Sequence, residues 1–206
     1  MRYDKDHKAT TRRRIVETAA RRFRENGIES EGMKSLMSAA GLTNGAFYNH
    51  FTSKEDLTRE AVTAAMEERV EHLRHWLDRE EGLEGLLRSY FSTRHRDNPG
   101  KGCPSAVLAS EIARHSEEVR AAYTEGFLAF VERAATHWRH LSREEASSRA
   151  LALYGLMAGT MQVARAVNDE ALSERLLASG LEAALDMIRS RPAEHPTTAQ
   201  GAASWE

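Results

Sequence analysis

Ala39-Ala-Gly-Leu-Thr-Asn-Gly-Ala-Phe-Tyr-Asn-His-Phe-Thr-Ser-Lys-Glu-Asp-Leu57 is the stretch that decides how this chain folds. Gly41 ends a short helix expected over about 33–40, whose Met33, Leu36, Met37 and Ala40 face inward. Leu42-Thr43 then leads into another short helix, running through about His50, with Thr43 as its N-cap. Phe47 and Phe51 lie four apart and can pack on the helix before them, which leaves Asn44, Gly45, Tyr48 and Asn49 facing outward. Ser53 caps a long fourth helix, and Glu55 and Asp56 sit where its dipole favours negative charge. Two short helices joined by a glycine turn and supported by a third are the layout of a helix-turn-helix, which lays its second helix in the DNA major groove.

The flanks agree with this reading. A first helix is expected from about residue 8 to Asn26, with Ile15, Ala19 and Phe23 at four-residue spacing, Val16 and Ala20 widening the stripe, and Gly27 as its stop. The fourth helix reaches toward Glu80, and a fifth covers 82–95 with Leu83, Leu86, Leu87, Tyr90 and Phe91 on one side. Asp97-Asn-Pro-Gly-Lys-Gly102 is a loop, and Pro104 suits the first position of a sixth helix with Cys103 at its N-cap. Ser116 caps a helix to about His140. Ser142 and Glu145 form a capping box for one ending near Val167, and Asn168-Asp169 turns into a last helix over about 171–190. The tail from Arg191 has two prolines and little to bury, and is expected to be disordered. No stretch alternates with period two, so the fold class is all-α. It divides into a three-helix helix-turn-helix domain over 1–53, a larger helical domain over 54–190, and the tail 191–206.

Composition narrows the function. Net charge is −2, but residues 1–60 hold 12 Lys/Arg against 9 Asp/Glu, so a mildly basic head sits on an acidic body, as suits a polyanion-binding module. Arg12, Arg13 and Arg14, with Arg21, Arg22 and Arg24, fit either a solvated helix face or phosphate contacts. The single cysteine allows no internal disulfide and fits a reducing cytoplasm. The first residues have no apolar core of the signal-peptide kind, and no stretch approaches a membrane span. Cys103 and nine scattered histidines do not make a catalytic set, and neither Cys-x-x-Cys nor His-Glu-x-x-His is present, so no catalytic residue, cofactor or metal site is assigned. His72 and His75, three apart, fit either a metal pair or surface residues of a charged helix.

Residues 39–57 resemble the DNA-binding signature of TetR/AcrR transcriptional regulators, Ala-Gly-Val/Leu-x-x-Gly-x-Leu/Phe-Tyr-x-His/Tyr-Phe-x-Ser-Lys-x-x-Leu, and Ile15 to Gly27 resembles that family's first helix. Gly32 departs from it, standing where the family usually has a Ser or Thr cap. The resemblance implies a homodimeric regulator, usually a repressor, that binds a near-palindromic double-stranded operator and is released by a small-molecule effector. It implies base-edge contacts for Lys34, Ser35, Thr43, Asn44, Gly45 and Asn49, and phosphate contacts for Tyr48, His50 and Lys54. Packing between helices is the other reading for Tyr48 and His50. The implied dimer uses the helices at 142–167 and 171–190, where Ala150, Leu153, Leu156, Met157 and Met161 would pack and Gly155, Ala158 and Gly159 allow close approach; the same stripe also fits core within one chain.

The implied effector pocket lies between the long fourth helix and the one at 116–140. Trp76, Tyr90, Phe91, Tyr123, Phe127 and Trp138 are the available aromatics, each of which also fits plain core. Lys101-Gly-Cys-Pro104 resembles a Gly-Cys motif of one branch of the family, and a helix N-terminus beside a lysine favours thiolate. Cys103 is therefore either an electrophile or oxidant trigger lining the pocket or a buried, inert residue. An architectural DNA binder without effector is the remaining alternative.

Overall fold

The computed structural model describes residues 2–190, so the tail 191–206 lies outside the described residues. Among these residues there are helices and turns but no strand. The α-helices are α1 (Arg2–Asn26), α2 (Met33–Ala39), α3 (Lys54–Leu77), α4 (Gly82–Tyr90), α5 (Thr93–Arg96), α6 (Ser105–Ile112), α7 (Glu117–Ala135), α8 (Arg143–Ala166) and α9 (Glu170–Arg189). Short 3-10 helices cover Asn44–Asn49, Pro99–Lys101 and Thr136–Trp138.

Most of the long helices carry the caps the sequence announces. Ser53, Ser116 and Asp169 accept from the backbone N–H groups of Asp56, Val119 and Leu172, and Ser142 with Glu145 closes a full capping box. Gly41 takes φ +68°. The amide of Leu42 donates to the Met37 carbonyl and that of Gly41 to Ser38, the paired bonds of a Schellman ending that needs a residue free to go left-handed.

Several boundaries differ from expectation. α1 begins at Arg2 rather than near residue 8, because no Pro or Gly interrupts the chain ahead of the apolar stripe. α3 stops at Leu77 rather than reaching Glu80, so that α4 can fold back on it; a Cβ at Gly85 would lie 2.5 Å from the Trp76 ring. The helix expected over 82–95 breaks at Phe91, and Ser92 caps the separate turn α5 by accepting from His95 N–H. α6 starts at Ser105 with Pro104 in the cap position, which places Cys103 one residue outside the cap it was expected to fill. α7 ends at Ala135, and the following 3-10 turn drives Trp138 into the core.

Two apolar clusters result. One joins Ile15, Phe23, Leu36, Phe47 and Phe51 to Leu57 and Met66 of α3 and reaches Ile112 and Val119. The other holds Leu73, Leu86, Phe91, Phe130, Leu153 and Leu177. α3 belongs to both, so it is the mechanical link between the reading end and the rest. In α8 Ala150, Leu153, Met157 and Met161 are buried in this chain's own core and Leu156 packs partly buried against it, as fits a stripe that is core within one chain. The opposite edge carries Leu151 and Val163, about half exposed, with Gly155 and Gly159 between them and open space where a Cβ would stand.

Candidate functional site

The reading head is a rigid frame with a bare rim. Phe47 and Phe51 are buried and stack at 5.6 Å, which anchors the 3-10 helix Asn44–Asn49 on α1 and α2. That segment was expected to be a short α-helix. It is tighter, and Thr43 stands at its cap position without a side-chain bond. With three residues per turn, Gly45 and Tyr48 share one outward row, and no Cβ from Gly45 crowds it. Tyr48 is 75% exposed, although its ring edge meets Phe47 at 5.2 Å. Thr43, Asn44 and Asn49 are exposed on the same surface, as is Lys34 on α2. Lys54, in the first turn of α3, is half-buried. A neutral amide set beside an open glycine and a projecting phenol is equipped to reach base edges and phosphates.

Ser35 and His50 differ from the rest. Ser35 is exposed, but its hydroxyl accepts from Arg22, so it enters any contact already partnered. His50 is half-buried, and its Nδ1 has no hydrogen-bond partner among the described residues. Burial, then the charges of Lys8 and Arg12, hold its pKa below the usual imidazole value. His50 is therefore neutral near pH 7, and packs as much as it projects.

The arginine run resolves into distinct roles that residue spacing did not separate. Arg12 bonds both carboxylate oxygens of Glu60 on α3, donates to the His50 carbonyl and lies 4.2 Å from the Phe51 ring centre, so it ties α1, the reading helix and α3 together. Arg22 pairs with buried Glu31, which also accepts from Asn26. Burial alone would raise the Glu31 pKa, but the bonds from Asn26 and Arg22 outweigh it and lower it. Arg24 is buried and bonds Glu68 and the Gly102 carbonyl, while Arg13 and Arg14 stay exposed beside the head. The partners of Arg12, Arg22 and Arg24 are 48, 9 and 44 residues away, beyond any periodic pattern.

Residues 15–61 match the family described as bacterial regulatory proteins, tetR family. The chain carries a tetR-family domain. Curated relatives of the tetR-family head include the uncharacterized HTH-type transcriptional regulator YxaF of Bacillus subtilis (strain 168), 32% identical over 116 residues that cover 53% of this chain and 60% of that protein. The HTH-type transcriptional regulator UidR of Escherichia coli (strain K12) is 29% identical over 85 residues, 41% of this chain and 43% of UidR. The chain thus spans about half the length of the curated relatives it matches. Among solved structures, reduced NemR of E. coli superposes with a TM-score of 0.70 at 22% identity, covering 85% of this chain and 95% of NemR. A TetR-family regulator from Cytophaga hutchinsonii gives 0.71 at 20% identity, covering 90% and 98%. At such identities the superpositions establish the fold: a helix-turn-helix head on a helical body. The family is one of bacterial regulatory proteins, and YxaF, UidR and the Cytophaga hutchinsonii protein are named as transcriptional regulators. No helix among the described residues is long and apolar enough to cross a membrane.

Trp76, Tyr90, Phe91, Cys103, Tyr123 and Phe127, expected around the effector, are not gathered around one cavity. Between α3 and α7, where the pocket was expected, the helices pack directly: a Cβ at Gly126 would lie 2.3 Å from Met66 Cβ. Phe91 and Cys103 are buried in the body core, and Trp76 packs half-buried against it. Tyr123 and Phe127 stack at 6.3 Å; Phe127 meets Tyr154 edge-on, and the hydroxyls of Tyr123 and Tyr154 both bond Ser105. Cys103 is 3% exposed. Its amide donates to His95 Nε2, and its Sγ lies 4.0 Å from Tyr154 Oη. Of the six, Tyr90 alone lines a cavity of about 380 Å³, which opens between α3, α4 and the segment around α5. His72 lines it too. It was expected at the surface of a charged helix, yet it is half-buried and accepts the Trp76 indole N–H at 3.1 Å. The missed signal was its four-residue spacing from Trp76.

Proposed function

We propose that this chain is a ligand-responsive transcriptional repressor of the cytoplasm that binds a near-palindromic operator as a homodimer and leaves it when a small molecule binds the body. The observation that carries the reading is the exposed row of Thr43, Asn44, Gly45, Tyr48 and Asn49 on a head locked by Arg12 and two buried phenylalanines. In this reading Thr43, Asn44, Gly45, Asn49 and Lys34 meet base edges, Tyr48 and Lys54 meet phosphates, and residues 1–53 act as the DNA-binding unit of a body over 54–190. A single small head binds weakly, and two heads on a twofold axis read two half-sites. The outer edge of α8, Leu151-Gly155-Gly159-Val163, supports the dimer because its glycines let a second copy approach closely. The test is selection from a random duplex pool with purified protein at physiological salt. Recovery of an enriched inverted repeat is expected, and recovery of unpatterned DNA overturns the proposal in favour of an architectural binder.

A further inference from the structure

The polar cavity beside Tyr90 has an uneven inventory. It is lined by four cations, Arg24, Arg69, Arg94 and Lys101, against one carboxylate, Glu68, which is already paired with Arg24. Arg69 is only 7% exposed and has no hydrogen bond or ion pair with any described residue; its guanidinium lies 5.7 Å from the Tyr90 ring centre in a cation–π contact. A buried guanidinium without an anion is costly unless something supplies one. Neighbouring donors are in the same position. Among the described residues the buried Tyr90 Oη has no acceptor and only the Cys103 thiol, a weak partner, nearby, and the buried Arg24 Nε is also without a hydrogen-bond partner. His72 Nε2 accepts from Trp76, so its remaining ring nitrogen carries the proton as a further donor. His95 spends both nitrogens, on the Tyr90 carbonyl and the Cys103 amide, and holds the wall in place.

We infer that this cavity binds a small organic oxyanion, a carboxylate or phosphate, with the Arg69 guanidinium as its anchor and Tyr90 Oη, Arg24 Nε and the His72 N–H as further donors. The volume of about 380 Å³ falls within the range of ligand sites, and Arg94 and Lys101 lie exposed where an anion would enter. The position also gives a route to the head. Arg24 belongs to α1 and bridges Glu68 of α3 to the Gly102 carbonyl, and Gly100 sits against Glu25 of α1. A bound anion competes with Glu68 for Arg24, and so acts on the two helices that carry the reading helix. This route to DNA release rests on the regulator reading above; the anion site itself does not.

The test uses the full chain with inorganic phosphate, benzoate and uncharged benzamide, followed by thermal melting and calorimetric titration. Either anion at a hundred times its Kd is expected to raise Tm by roughly 5–10 °C, and benzamide to do nothing. Arg69→Met, which removes an unpaired cation, is expected to keep or raise the ligand-free Tm and to lose the anion response by at least about tenfold in affinity. Tyr90→Phe deletes one oxygen, leaves the fold intact and weakens the same response. Absence of any shift with both anions, an equal shift with benzamide, or a full response in Arg69→Met overturns the site. If anions bind but selected DNA is not released, the effector role falls and the anion site stands. If no DNA is selected, the regulator reading falls while the titration still decides the site.

Discussion

Arg12 is expected to be worth more to this head than any phosphate-facing cation, and replacing it by Met measures how much. Its guanidinium meets both oxygens of Glu60, with side chains 35% and 25% exposed, a pair worth about 0.5–1 kcal/mol at such exposure. The charged bond to the His50 carbonyl adds about 1.5–3 kcal/mol. The contact over Phe51 at 4.2 Å adds about 0.5–1 kcal/mol. These contributions share one side chain and do not add fully, and Met keeps the stem over the ring, so the expected loss is about 2–3 kcal/mol. In a chain of this size that is a fall in Tm of roughly 5–10 °C. A double-mutant cycle with Glu60→Gln isolates the ion pair and should return a coupling of about 0.5–1 kcal/mol. Because the His50 carbonyl closes the reading helix, operator affinity should fall together with stability. Calorimetric melting and equilibrium binding read both effects. A melting change under about 1 °C, with unaltered operator affinity, refutes the claim that Arg12 clamps the head.

Tyr48→Ala touches no buried packing beyond one ring edge, so it should leave Tm unchanged while weakening operator binding in a gel-shift assay. Lys54→Ala should weaken operator and random DNA alike and reduce the salt slope by about one; an unchanged slope removes Lys54 from the footprint. Gly159→Glu faces open space within the chain, so monomer packing should survive while light scattering reports a halved mass; an unchanged mass moves the interface elsewhere. His72 and His95 are each held at about 4, chiefly by burial, against an ordinary 6.5. The unfolded chain therefore binds more protons below pH 6.5, and stability present above that pH should be lost as pH falls through 4; a Tm that stays flat across this window contradicts the burial of both rings. Gly126→Ala should destabilise by about 1–3 kcal/mol through overpacking, because its Cβ would meet Met66 Cβ rather than a movable side-chain end.

Local chemistry made most of the fold legible. Ser53, Ser116, Ser142 with Glu145, and Asp169 act through amides within three residues, so the sequence contains both partners of each bond. Gly27 and Gly41 mark turns because their positive φ is a property of single residues. The break at Phe91 was hidden because the apolar stripe runs on past it, while the cap that ends it, Ser92, looked like one more polar position. In the head, exposure of Asn44, Tyr48 and Asn49 followed from Phe47 and Phe51 alone, four residues apart. The body was harder to read. Whether Met157 or Gly155 faces the chain's own core depends on where α9 lies, and whether α3 and α7 leave a gap depends on Gly126 against Met66, 60 residues apart. Such facts belong to pairs of distant residues, and helical periodicity describes one helix at a time.

That same distinction bears on how a signal could travel. Leu57 to Met66 of α3 is core to the head and Leu73 is core to the body, so a rotation of α3 cannot be absorbed by either cluster alone. The head is also tied to α3 twice by arginines of α1: Arg12 to Glu60 near the DNA end, and Arg24 to Glu68 two turns on. The first tie is a fork of bonds at a partly buried site. The second shares its arginine with the Gly102 carbonyl and leaves Nε without a partner among the described residues, beside an electropositive cavity. A ligand that takes Arg24 from Glu68 loosens one tie and leaves the other intact, which makes the Arg12 clamp a pivot. Two arrangements of α1 on α3 then differ by the partner of one buried guanidinium, and a ligand that prefers one arrangement shifts the balance only by the difference in its affinity for the two.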